Sequence, residues 1–241
     1  MSSWSKDVVS RTRRALEGVA DPSKSAAMQS YMKHVAPFLG VQAVPRRRVL
    51  RVEWRDLRTP SSAELGRASL DLMAQETREC HYAAADLVNR YIDVANENFC
   101  PRYVTRLLNT KPWWDTVDSF VSVAVSPLTR RYDHDDLIDQ WSESENLWLI
   151  RAALGHQRGW KEHTDVGRVI GLCDRHWANP EFFVAKAIGW ALRDLTAIDA
   201  GAVRRFLSLR TQRNAVAERE ARRGLERVGG IALRGRGAST R

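Results

Sequence analysis

The segment Tyr82-Ala-Ala-Ala-Asp-Leu-Val-Asn-Arg-Tyr91 sets Ala84, Leu87, Val88 and Tyr91 at spacings of three and four. That period gathers all four on one face of an α-helix, whereas a strand would need strict alternation. Working outward, Leu65, Leu70 and Met73 mark an apolar run before it, and Trp114–Val125, Leu147–Gln157 and Phe183–Leu195 are similar runs after it. Pro22, Pro45, Pro60, Pro101, Pro112, Pro127 and Pro180 fall mostly at the ends of such runs. There a proline can occupy a first helical turn, whose N–H has no partner inside the helix. No useful length of strand-like alternation occurs, so the chain is expected to be all-α.

The runs are also serial. Asp118 and Arg151 lie 33 residues apart, and Arg151 and Trp190 lie 39 apart. Recurrence at this length is the period of helical-pair repeats, in which each pair buries its apolar face against its neighbours. The spacing favours a solenoid over a closed bundle only slightly. Residues 1–228 are expected to form a single domain, followed from Gly229 by a basic, disordered tail.

With 241 residues, 44% of them apolar and 28% charged, the composition is that of a globular chain and not of a disordered one. The apolar stretch Phe120–Val125 is far shorter than the roughly 18 residues a membrane span needs. Met1–Arg14 lacks the apolar core of a secretion signal, so a cytoplasmic protein is expected. Cys80, Cys100 and Cys173 describe neither a disulfide framework nor a zinc site. The net charge of +9 is unevenly placed, because Arg204–Arg241 holds 11 arginines and 3 glutamates and so carries +8 of it. Overall basicity is therefore weak evidence for a polyanion partner unless cations gather on one face. The excess of 32 arginines over 6 lysines also fits genomic base composition.

Three segments could carry chemistry. In Asn109-Thr-Lys-Pro-Trp-Trp-Asp-Thr-Val-Asp118, Pro112 suits a first helical turn with Thr110 or Asn109 near the cap. Trp114 and Asp118 then share a face. Trp113 and Asp115 read as core and dipole-complementing residues; Asp118 lies deeper, where the dipole offers less. In Trp141-Ser-Glu-Ser-Glu-Asn-Leu-Trp-Leu-Ile-Arg151, Ser144 or Ser142 is expected to cap a helix. Arg151 sits among Leu149, Ile150, Ala152, Ala153 and Leu154, so it either pairs with a carboxylate or faces an anion. In Glu181-Phe-Phe-Val-Ala-Lys-Ala-Ile-Gly-Trp-Ala-Leu-Arg193, Lys186, Trp190 and Arg193 share a face. From the residues alone Trp190 reads as a buried structural tryptophan. Gly189 costs this helix about 1 kcal/mol relative to alanine unless close packing offsets it.

Cys173-Asp-Arg-His176 and Tyr132-Asp-His-Asp-Asp136 have metal-like spacing, but read more simply as structural residues and as a helix start. No phosphate-binding glycine loop, nucleophile elbow or His-Glu-x-x-His pattern occurs, and no cofactor or metal is expected.

Four blocks together resemble the DNA alkylation repair family, the AlkD-type DNA glycosylases. They are Tyr31-Met-Lys-His34 with Phe38-Leu-Gly-Val-Gln42, Lys111-Pro-Trp-Trp-Asp-Thr-Val-Asp118, Ser144-Glu-Asn-Leu-Trp-Leu-Ile-Arg151, and Glu181 to Arg193 as quoted above. The resemblance spans residues 28–196. It implies HEAT-like repeats forming a curved solenoid with a concave DNA-binding groove. By motif it makes Trp114, Asp118 and Trp190 the catalytic residues and turns Arg151 toward the DNA backbone. Tyr31 and Gln42 fall near the bound duplex, with Arg46, Arg47, Lys161 and Arg193 as further DNA contacts. The chain departs from the family at Pro112, at Gln157-Arg-Gly-Trp-Lys161 and over Leu209–Arg227, which bears most on its C-terminal contacts.

The implied reaction is hydrolysis of the N-glycosidic bond of N3- or N7-alkylated purines, methylated or bulkier, in double-stranded DNA, by a monomer and without obligatory base flipping. A cationic base is already a good leaving group. The protein must then stabilise an oxocarbenium-like sugar, for which a carboxylate and indole faces are suited. Two other readings compete: a non-catalytic HEAT-like scaffold binding DNA or protein, and a closed bundle in which the same residues form a buried polar pair.

Overall fold

A computed structural model describes the backbone of residues 3–236 and the side chains of residues 3–229. Every regular element in this range is helical, as the periodicity requires. The chain divides into two compact units, Met1–Leu128 and Thr129–Arg241.

The first unit contains α1 (Ser3–Glu17), α2 (Pro22–Tyr31), α3 (Ala43–Glu53), α4 (Ser62–Met73), α5 (Arg78–Tyr91), α6 (Thr105–Asn109) and α7 (Trp114–Phe120), and it ends inside α8 (Ser126–Arg131). A wide turn, Cys100–Val104, leads into α6, and another, Val121–Val125, joins α7 to α8. Such wide turns disturb the usual i to i−4 ladder and recur near functional sites. The core is apolar, with Leu65, Leu72, Leu87, Val88, Leu108 and Phe120 removed from solvent.

α5 does more than contribute apolar residues. Arg78, Tyr82, Asp86 and Arg90 follow one another at intervals of four and therefore share one face. Arg46 and Arg47 on α3 approach Asp86 at 2.9 and 3.4 Å, and Arg90 donates to the Trp54 carbonyl just beyond α3 (3.1 Å). Beside this row, the buried Glu79 carboxylate accepts the backbone N–H groups of Leu39, Gly40 and Val41, each at 3.0 Å. Those bonds fix the loop between α2 and α3. Gly40 is required there: its φ is +84°, and a Cβ would lie 2.0 Å from the Asp21 carbonyl oxygen.

The second unit contains α9 (Asp135–Ser142), α10 (Leu147–Leu154), α11 (Val166–Arg175), α12 (Phe182–Ser208) and α13 (Ala215–Arg236). Asn146 caps α10 by accepting the Trp148 N–H (2.9 Å). The expected caps serve elsewhere: Ser144 accepts from the Asn146 N–H, and the buried Ser142 bonds to His176. α12 outruns its expected extent and breaks its dihedrals only at Asp199. α13 stays helical as far as Arg236, where a disordered tail was expected from Gly229; Ile231-Ala-Leu-Arg234 are all helix formers. The rest of that tail, residues 237–241, lies outside the described residues. No helix among the described residues is long and apolar enough to cross a membrane.

Candidate functional site

In the first unit the expected helix of the Trp-Trp-Asp block begins at Trp114, two residues later than Pro112 led us to expect. The residue before a proline is driven out of the helical region. Here Lys111 takes a φ of +45° and Trp113 is extended, while Thr110 closes the end of α6 by donating to the Arg106 carbonyl. The resulting turn is held from α5. Arg78, fully buried, donates through Nε to Asp115 Oδ2 (3.0 Å) and through Nη1 to the Lys111 carbonyl (3.0 Å), and its Nη2 also pairs with Asp115. Tyr82 donates to the same carboxylate (2.6 Å). Burial, then the Asp115 charge, pushes the Tyr82 hydroxyl well above its ordinary range, so it remains a donor. His81 donates from Nε2 to the Gln75 carbonyl and accepts from Arg78 on Nδ1; burial holds its pKa down at about 4.

Asp115 is thus a structural residue, committed to Arg78 and Tyr82 in addition to its place near the helix N-terminus. Asp118 and Trp114 stand on the same helix one turn apart, both half-buried. The Ser122 hydroxyl donates to the Asp118 carbonyl (2.9 Å) inside the wide turn that follows α7. The Tyr31 ring meets Trp114 edge-on, with centroids 6.4 Å apart, and remains 72% exposed. The first unit therefore brings Tyr31, Trp114 and Asp118 to one part of its surface. Gln42 is exposed at the start of α3, and Arg47 is exposed beside it. Arg46 differs from expectation: it is buried, paired with Asp86 and stacked over the Tyr82 ring (4.9 Å), so it anchors α3 and is not presented to a phosphate.

In the second unit, Trp190 is half-buried on α12 with cations about it. Arg151 Cζ lies 4.9 Å from its ring centroid, Arg158 Cζ 5.2 Å, Arg193 Cζ 5.8 Å and Lys186 Nζ 5.9 Å. Arg151 is buried and donates to the Phe183 carbonyl (2.6 Å). Lys186 and Arg193 both reach the buried Glu220 of α13, at 2.9 and 3.0 Å. The Lys186 hydrogen bond holds the Glu220 carboxyl below its ordinary range despite burial. Gly189 makes this pairing possible, since a Cβ there would come within 2.8 Å of Glu220 Cβ and 3.1 Å of Ala217 Cα. The close approach accounts for a glycine in mid-helix. With cations already at its ring, Trp190 has less of its quadrupole to offer a sugar cation, and the cluster as a whole favours an anion. Lys161 is exposed, in a backbone conformation with φ +54°.

The two metal-like spacings find other partners. Cys173 is buried, and His176 pairs with Ser142. Asp135 and Asp139 bind Arg168. No group of three or more metal-ligating side chains is assembled among the described residues. Sequence reasoning missed Arg78, Tyr82, Glu79 and Glu220. The first two had a signal, since Arg78, Tyr82, Asp86 and Arg90 repeat a polar group at every fourth position of α5.

The chain is thus all-helical, with a carboxylate beside an indole in one unit and a cation-ringed indole in the other. A family model described as DNA alkylation repair enzyme matches residues 12–225, and the chain belongs to that family, with a role in DNA repair. Among solved structures, a predicted DNA alkylation repair enzyme from Enterococcus faecalis shares the fold, with a TM-score of 0.69 and 24% identity over 84% of this chain and 94% of that one. A comparison with curated proteins finds no match.

Proposed function

We propose that the protein is a monofunctional glycosylase that hydrolyses the N-glycosidic bond of cationic N3- or N7-alkylated purines in duplex DNA. The observation that carries this reading is the half-buried Asp118 one turn from Trp114, on a helix whose first turn is gripped by Arg78 and Tyr82. A groove built only to bind phosphates gains nothing from a carboxylate at that place, whereas an electron-deficient sugar does.

Water adds to the anomeric carbon as the bond to the base breaks. The bonding electrons go to the base and cancel its positive charge, and the proton lost by water passes to the Asp118 carboxylate and on to solvent. At ~4 Å and an effective dielectric of about 20, a carboxylate opposite a full positive charge is worth roughly 4 kcal/mol. Realised only in the transition state, that is about a thousandfold in rate. Trp114 supplies an indole face beside the same carboxylate, and Tyr31 and Gln42 the neighbouring DNA contacts. In the second unit Arg193 and Lys161 serve the phosphate backbone, while Arg151, turned toward that backbone by its motif, is buried against the Trp190 ring and supports it. Trp190, catalytic by its motif, also holds those arginines in place.

The test is incubation of methylated duplex DNA with the protein and measurement of free 7-methylguanine and 3-methyladenine. Release of either base above the spontaneous rate is expected. DNA binding without release would leave a scaffold in place of an enzyme.

A further inference from the structure

We propose that the outer face of α3, carrying Arg47, Arg48 and Arg51 and continued by Arg55 in the turn beyond it, is a docking strip for the phosphate backbone of duplex DNA outside the lesion. It rests on the reading that DNA is the bound substrate. All four arginines are exposed, and they share their side of the helix with the exposed Val44 and Val52 and with no acidic residue. The acids nearby are engaged elsewhere. Glu53 faces Arg14 at 3.5 Å, Asp56 binds Arg11 at 2.8 Å, and Asp86 is shared by the buried Arg46 at 2.9 Å and the edge of Arg47 at 3.4 Å. Among the described residues no hydrogen bond or ion pair is formed by the side chains of Arg48, Arg51 or Arg55.

The charge is segregated by design of the helix. Arg46, on the inner side, anchors α3 to α5 through Asp86 and Tyr82, and Arg90 holds its far end at the Trp54 carbonyl. The helix is thereby fixed at both ends, so its free guanidinium groups project from a rigid support. At 1.5 Å of rise per residue, Arg48 to Arg55 covers about 10 Å. One DNA strand presents a phosphate about every 3.4 Å of axis, so the strip can meet about three in succession. Guanidinium groups suit this partner, since they bind phosphate oxygens in pairs. Gln42, proposed above as a DNA contact, stands at the N-terminal end of the same helix.

The experiment measures affinity for an unmodified duplex as a function of salt, using the full chain and the triple variant Arg48→Gln, Arg51→Gln, Arg55→Gln. A charge-matched control changes Arg13, Arg67 and Arg106, exposed on other elements, to Gln. Thermal melts establish that the unaltered chain and every variant fold. Each phosphate contact contributes about 0.9 to the log–log slope. The strip variant is expected to lose about two to three units of slope and the control none, with Arg51→Gln alone losing about one. An unchanged slope, or an equal loss in the control, overturns the proposal. So does loss of binding to phosphatidylglycerol vesicles with the DNA slope retained, which would make the strip a lipid surface. Because no base release is measured, a protein that frees no methylated base can still confirm the strip, and an active glycosylase can still refute it.

Discussion

The two units hold their tryptophans by opposite means. Trp114 rides on a helix fixed by a buried polar ladder: Arg78 and Asp115 are almost wholly removed from solvent, with Tyr82 closing the group. Trp190 rides on a helix fixed by close approach, Gly189 against Ala217 and Glu220, and its cations remain partly hydrated: Lys186 and Arg193 are 25% and 27% exposed. The first unit spends its arginine inward on Asp115, and Asp118 stands half-buried one turn along the same helix from Trp114. The second spends its acid, Glu220, inward and leaves cations about the indole. One indole stands beside a carboxylate and the other among cations, so a single composition rich in arginine yields two electrostatic characters according to which sign is buried.

The contrast breaks most visibly at Asp115. Asp115→Asn leaves the buried Arg78 without its counter-charge, and removal of one partner of such a pair costs about 3–5 kcal/mol. Urea unfolding should register that loss; a cost under 1 kcal/mol would mean the ladder does not fix α7. Next in size is an effect common to both units. His81 and His156 are each held at a pKa of about 4, principally by burial, against an ordinary value of 6.5. The unfolded chain takes up both protons below pH 6.5 while the folded one does not, so stability is complete above that pH and falls as pH drops toward 4. The loss approaches about 3 kcal/mol per histidine at pH 4. Unfolding free energies at pH 7 and pH 4.5, with His81→Gln and His156→Gln each removing its own share, would show the two sites acting alike.

Smaller effects sharpen the difference. Gly189→Ala gains about 1 kcal/mol in helix propensity and loses about 1–3 kcal/mol by overpacking against α13, leaving a modest net destabilisation seen as a lowered melting temperature. Glu220→Gln should cost only about 1 kcal/mol, because water can take over the exposed parts of Lys186 and Arg193. If this change proved as damaging as Asp115→Asn, the second unit would depend on buried charge as much as the first.

The helices and most of their order were legible because apolar spacing of three and four survives without tertiary information. The positions of caps were less so. Asn146 displaced two serines because a cap is chosen by chain direction, which spacing does not encode. Trp114 and Asp118 could be placed on one face from their interval alone. Arg46 could not be told from Arg47 by charge, since burial separates them: one turns toward Asp86 and the other away. The cations about Trp190 were only partly visible, as Lys186 and Arg193 share its helix face while Arg151 and Arg158 reach it from other segments.

The most direct test of the account is single-turnover release of 7-methylguanine from methylated duplex DNA by Asp118→Asn against the unaltered protein, with DNA affinity and melting temperature measured on the same samples. Release should slow by about a thousandfold while the protein stays folded and its affinity holds within about twofold. Undiminished release, or a loss of rate that follows a loss of folding, would contradict it.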